Sequence, residues 1–103
     1  MITVEQAKKI ALVQMEPLGD YWRKNVPGDE LVLAATFEFN EGWLFYFTSQ
    51  KFLQSKNNAD RPIGVGPVIV SKENGQFMLM GSGNTQEEYM SEFREYLQKK
   101  GRR

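Results

Sequence analysis

Apolar residues in the first part of the chain recur at helical spacing. Val4, Ala7, Ile10, Ala11 and Met15 fall on one side, with Lys8, Lys9 and Gln14 left to face water. Thr3 with Gln6 three residues on forms a capping-box pattern, so a helix is expected over residues 3–16, ended by Pro17 and Gly19. Residues 20–30 then read as a loop. Residues 31–39 and 43–49 read as strands joined by Asn40-Glu41-Gly42, a three-residue turn suited to a hairpin with a bulge. Pairing across that turn sets Phe39 opposite Trp43, Phe37 opposite Phe45 and Ala35 opposite Phe47. With Leu33 these form an aromatic face expected to be core. Ala34, Thr36, Glu38, Leu44, Tyr46 and Thr48 form the other face, expected to be half exposed.

Residues 50–66 read as a long connection, with a helical turn at its start that tucks Phe52 and Leu53 inward. Residues 67–72 and 76–80 read as two more strands, joined by Glu73-Asn74-Gly75. Gly81-Ser82-Gly83-Asn84 then breaks the strand pattern. Thr85 and Glu88 form a second capping box, and Tyr89, Phe93, Tyr96 and Leu97 make one apolar stripe. Lys99, Lys100, Arg102 and Arg103 suit the negative end of that helix. The predicted fold class is α+β. It is a four-stranded antiparallel sheet of two hairpins, packed with an N-terminal and a C-terminal helix, both expected to cover one face.

With 103 residues there is room for one domain, residues 1–103. Thirteen basic residues balance thirteen acidic ones, so no basic excess points to nucleic acid. There is no cysteine and no histidine, which removes disulfides, the usual zinc sites and His-based nucleophilic triads. The first residues show no basic region followed by an apolar stretch, so no signal peptide is expected. No apolar run approaches the ~20 residues that span a bilayer. A cytoplasmic location is expected.

Catalytic chemistry finds little support. Glu87 and Glu88 open a helix, where the dipole alone favours carboxylates. Glu38 and Glu41 flank a turn, and nothing in their surroundings suggests the burial that would shift their pKa. Gly64-Val65-Gly66 precedes a strand, whereas a nucleotide loop follows one. Gly81-Ser82-Gly83-Asn84 does follow a strand and open a helix, but its spacing matches no dinucleotide fingerprint, and it reads as a loop and cap. No stretch alternates Asp and Asn as a calcium loop does. The chain is expected to be no enzyme and to hold no cofactor or metal. Met78 and Met80 share one strand face, as core filling or as an adaptable binding groove. Tyr21 and Trp22 either cover an edge of the core or anchor a partner.

Several markers together resemble the YrhB-type immunity domain family, the immunity protein 35 group. They are Gly42-Trp43 opening an aromatic strand, Gly64-Val65-Gly66-Pro67-Val68-Ile69-Val70, Asn74-Gly75 and Glu88-Tyr89. The likeness runs from about Phe37 to Tyr96. Val65 stands where the family has an asparagine-like residue. The resemblance implies a small bacterial protein that binds a cognate toxin and blocks it, and it transfers no catalytic residues. A chaperone-like protein that binds unfolded clients is the alternative. The partner is expected to be a protein toxin, with no nucleic acid and no membrane, and the chain a monomer or small homo-oligomer. The expected contact residues are Tyr21, Trp22, Thr36, Glu38, Glu41 and Tyr46.

Overall fold

A computed structural model of the chain describes residues 1–62 and 64–101. Helix α1 spans Val4–Asn25, and the Thr3–Gln6 capping box forms as expected. Strands β1 (Leu31–Phe39) and β2 (Gly42–Ser49) make the first hairpin. A short helix α2 (Gln50–Ser55) and a 3₁₀ turn (Asn58–Asp60) lead to β3 (Val68–Ser71) and β4 (Phe77–Leu79). Helix α3 (Gln86–Gly101) closes the chain. The four strands form one antiparallel sheet in the order β1-β2-β3-β4. The fold is α+β, as the pattern predicts.

Helix α1 does not stop at Pro17. A proline inside a helix removes one backbone donor and crowds the preceding turn, at about 3 kcal/mol. The apolar stripe outlasts it: Ala7, Ala11, Met15, Leu18 and Trp22 continue at helical spacing, all fully or partly buried, while Pro17 faces solvent. Burying one large apolar side chain contributes about 1.5–3 kcal/mol, so the stripe offsets the proline. The helix ends at Val26, whose N–H donates to the Trp22 carbonyl. Tyr21 and Trp22 are therefore helical, not in a loop.

The hairpin also differs from the expected register. Phe39 pairs with Gly42, so only Asn40 and Glu41 form the turn. Glu38 pairs with Trp43, Phe37 with Leu44, Thr36 with Phe45 and Ala35 with Tyr46. The bulge expected in the turn lies instead inside β1, between Leu33 and Ala35. One extra residue reverses the alternation beyond it. Leu31 and Leu33 therefore share a face with Trp43, Phe45 and Phe47, while Phe37 and Phe39 point to the opposite one.

Both faces of the sheet are consequently core, each covered by one helix rather than one face by two. Ala7, Ala11 and Met15 of α1 pack on Trp43, Phe45, Phe47, Val68 and Val70. Tyr89 and Phe93 of α3 pack on Phe39, Leu44, Ile69 and Met80. Phe93 meets Phe39 edge-on at 6.3 Å between ring centroids. Met80 is buried and Met78 packs against the same cluster, so these methionines fill core. Phe52 is half-buried, but Leu53 is exposed, because α2 lies at the margin of the sheet. The capping box at Thr85 and Glu88 forms as expected. Lys99 is exposed near the end of α3; Arg102 and Arg103 lie outside the described residues, as does the side chain of Lys100.

Two glycines are needed for strand approach. A Cβ on Gly42 would sit 2.0 Å from the Val70 carbonyl oxygen, and one on Gly66 would sit 1.9 Å from that of Met80. Gly66→Ala should lower stability by about 1–3 kcal/mol, since the obstructing atom is backbone. Gly81→Ala meets nothing within 4 Å and should stay within about 0.5 kcal/mol of wild type. Urea unfolding midpoints of the two variants check this; equal midpoints would contradict it.

Candidate functional site

The six expected contact residues do not converge on one patch. They are strung along the β1–β2 hairpin, from the C-terminal end of α1 to the turn. Strand β1 alone spans roughly 26 Å at about 3.3 Å per residue.

At one end stands the corner between α1 and β1. Tyr21 is 60% exposed and projects from the last turns of α1. Trp22 is partly buried, and its indole Nε1–H donates to Asp29 Oδ2 at 3.0 Å. The other oxygen of Asp29 accepts from the backbone N–H of Glu30 at 2.8 Å and of Lys51 at 3.0 Å. One carboxylate thus ties α1, the start of β1 and α2 together. Asp29 is only 3% exposed. Burial pushes its carboxyl upward. The hydrogen bonds from Lys51, Trp22, Glu30 and Ser49 outweigh that and hold it below the ordinary 3.8. Sequence reasoning missed Asp29. The only local signal was Pro27-Gly28-Asp29, an ordinary turn motif, and Gly28 does take a left-handed φ of 83°.

Along the hairpin, β1 is an edge strand whose middle residues, Ala34, Ala35 and Thr36, are exposed. Thr36 and Glu38 lie on the α1 side of the sheet, opposite Phe45 and Trp43. Glu38 Oε2 accepts from Lys72 Nζ at 2.6 Å, and that ammonium stands 5.6 Å from the centre of the Trp43 ring. Tyr46 belongs to the opposite side, where it meets Tyr89 edge-on at 6.5 Å. Burial raises the Tyr46 phenol above 10.0; a hydrogen bond with Gln86 acts against the shift and the nearby Tyr89 adds to it. The expected single face holding Thr36, Glu38 and Tyr46 is thus split by the register.

Glu41 sits in the turn. Its Oε1 lies 3.0 Å from Arg94 Nε of α3. That oxygen is shut from solvent and no described group hydrogen-bonds to it, so the contact works as an ion pair. The Arg94 guanidinium also stands 5.9 Å from the centre of the Phe39 ring. Beside the turn is an open depression of about 430 Å³, lined by Met1, Asn40, Glu41, Ser71, Lys72, Glu73 and Leu97. Its lining combines both signs of charge with the apolar side chains of Met1 and Leu97.

Among the described residues no group of three His, Cys, Asp or Glu is placed to hold a metal ion. Among them no helix is long and apolar enough to cross a membrane. The Gly81–Thr85 segment serves the fold: the Tyr89 hydroxyl donates to the Gly81 carbonyl at 2.7 Å and accepts from Asn84 N–H at 3.3 Å.

Comparison with known proteins returns a family described as immunity protein 35, whose model matches residues 7–92. "Uncharacterized protein YrhB" of Escherichia coli (strain K12) is 30% identical over 63 residues, which cover 61% of this chain and 67% of that protein. No solved structure matches the chain. The glycine, proline and aromatic markers singled out in the sequence all fall inside the matched span, and Gly42, Gly66, Gly75 and Tyr89 each have a fold-building role.

The Asp29 corner has a pH signature. Because its folded pKa is lowered, the unfolded chain binds more protons as pH approaches 3.8 from above. This contribution is complete above the unfolded value and is lost as pH falls through the folded one. Asp29→Asn should cost about 1–3 kcal/mol near neutral pH, since the buried donors around it lose a charged acceptor. It should also flatten the acid limb. Urea midpoints measured at several pH values check both effects, and parallel wild-type and variant curves would contradict the second.

Proposed function

The chain belongs to the immunity protein 35 family, and on that premise we propose that it neutralises a bacterial protein toxin by binding it, making and breaking no bonds itself. The family match over residues 7–92 carries this reading. The toxin is a cognate one, and the encounter takes place in the cytoplasm of the producing cell.

The exposed edge of β1 is the surface best suited to the contact. A standard interface takes about 800 Å² from each partner, roughly 12% of the 6844 Å² exposed here. The small side chains of Ala34, Ala35 and Thr36 let another backbone come close. Tyr21 offers an exposed ring near one end, and Glu38, on the same side of the sheet as Thr36, offers an exposed carboxylate further along. Tyrosine and tryptophan are the usual anchors of such contacts. Trp22 has its N–H committed to Asp29, so it serves by stiffening the turn that presents Tyr21.

Co-expression with the toxin domain encoded beside it should restore growth, and calorimetry should give a one-to-one complex. Thr36→Arg, which adds bulk and charge on the open edge, should weaken binding at least tenfold, about 1.4 kcal/mol, without moving the unfolding midpoint. Tyr21→Ala should act in the same direction. Full affinity in both variants would put the contact elsewhere. Growth arrest despite co-expression, together with suppressed aggregation of unrelated unfolded proteins at near-stoichiometric dose, would replace the immunity reading with the chaperone one.

A further inference from the structure

We infer that the chain self-associates through β4, which pairs antiparallel with β4 of a second copy about a two-fold axis at Met78. The two sheets then join into one of eight strands.

Strand β4 is the far edge of the sheet, opposite β1. Its inner side is committed to β3. Ser71 N–H donates to the Gln76 carbonyl at 2.7 Å, Met80 N–H donates to the Pro67 carbonyl at 2.9 Å, and Met78 pairs with Ile69. In an antiparallel ladder, bonding groups alternate between the two sides of a strand. Gln76, Met78 and Met80 turn inward, so the N–H and C=O groups of Phe77 and Leu79 turn to the open side. Two outward residues on each copy supply four hydrogen bonds when Phe77 lies opposite Leu79 of the other copy.

The side chains fit that register. Phe77 and Leu79 pair with Val70 and Val68, so they stand on the α1 side of the sheet, 36% and 59% exposed. The two-fold places the aromatic ring of each copy against the leucine of the other, a favoured kind of cross-strand pair. Ile10 lies against Gly75 at the start of this edge, and Val13, 54% exposed, is one turn further along the same flank of α1. The apolar ground therefore extends beyond the strand.

Charge decides for a second copy. Residues 74–86 carry no charged side chain. A two-fold at Met78 sets Glu73 opposite Gly83, so no like charges meet. Exposed edges are normally guarded by lysine, proline or a bulge. The β1 edge has a bulge and Glu38; β4 has none of these. The paired segment is short and falls below the size of a standard interface, so the dimer is expected to be weak, with a dissociation constant in the micromolar range.

Sedimentation velocity tests this from about 1 μM to about 1 mM. The mass should rise from one chain to two. Leu79→Lys, on an exposed side chain, should weaken association at least tenfold, while Thr36→Arg on β1 should leave it unchanged. The register has its own test. Met78 pairs across the axis at a non-hydrogen-bonded position, where Cα atoms are about 4.5 Å apart, within disulfide range. The chain has no cysteine, so Met78→Cys should give a disulfide-linked dimer under mild oxidation. A single-chain mass at every concentration would overturn the inference. So would a dimer that ignores Leu79→Lys, or one that Thr36→Arg abolishes.

Discussion

The pairing of β1 with β2, and the one extra residue it accommodates between Leu33 and Ala35, governs where every other element can pack. In a strand, side chains alternate faces, so a single inserted residue reassigns everything beyond it. Before the bulge, Leu31 and Leu33 join the cluster under α1. After it, Phe37 and Phe39 join the cluster under α3. Without the bulge, all four would face one way and one helix would lose its aromatic bed. Strand β2 sits between β1 and β3 and is apolar on both faces: Trp43, Phe45 and Phe47 under α1, Leu44 and Tyr46 under α3. A two-sided core in so short a chain follows from that.

Helix α1 shows the same balance between local and long-range terms. Pro17 opposes the helix locally, and the continuous stripe from Ala7 to Trp22 favours it over the whole length. The outcome places Tyr21 on an exposed helical turn and brings Trp22 to Asp29. Asp29 is the polar counterpart of the apolar clusters. A nearly buried carboxylate is tolerable because donors from separate parts of the chain, the Trp22 indole and the Glu30 and Lys51 backbone among them, reach it. It holds the corner from which the β1 edge starts.

The sheet ends in two unlike edges. One is bulged, carries small side chains and is flanked by Glu38 with its lysine and Glu41 with its arginine. The other is short, uncharged and apolar. Unlike edges invite unlike partners, and the two roles assigned to them do not compete for surface. A dimer joined at β4 would leave both β1 edges open at the ends of the enlarged sheet.

Much of the fold was legible in the sequence because its signals are local. Capping boxes at Thr3 and Thr85, the Asn74-Gly75 turn, the stripe of α3 and the four strand segments each depend on a few neighbouring residues. Family markers were legible for the same reason: Gly42 and Gly66 announce places where backbones touch. What only the tertiary structure decided was pairing. The register of β1 with β2 depends on where an unpaired residue is cheapest, and that depends on both helices at once. The same holds for the helix beyond Pro17, for Asp29 as the meeting point of distant donors, and for the split of Thr36, Glu38 and Tyr46 between two faces. Spacing along a chain reports which residues can share a face. Only the packed sheet settles which face it is, because the free energy that selects it comes from contacts far apart in sequence.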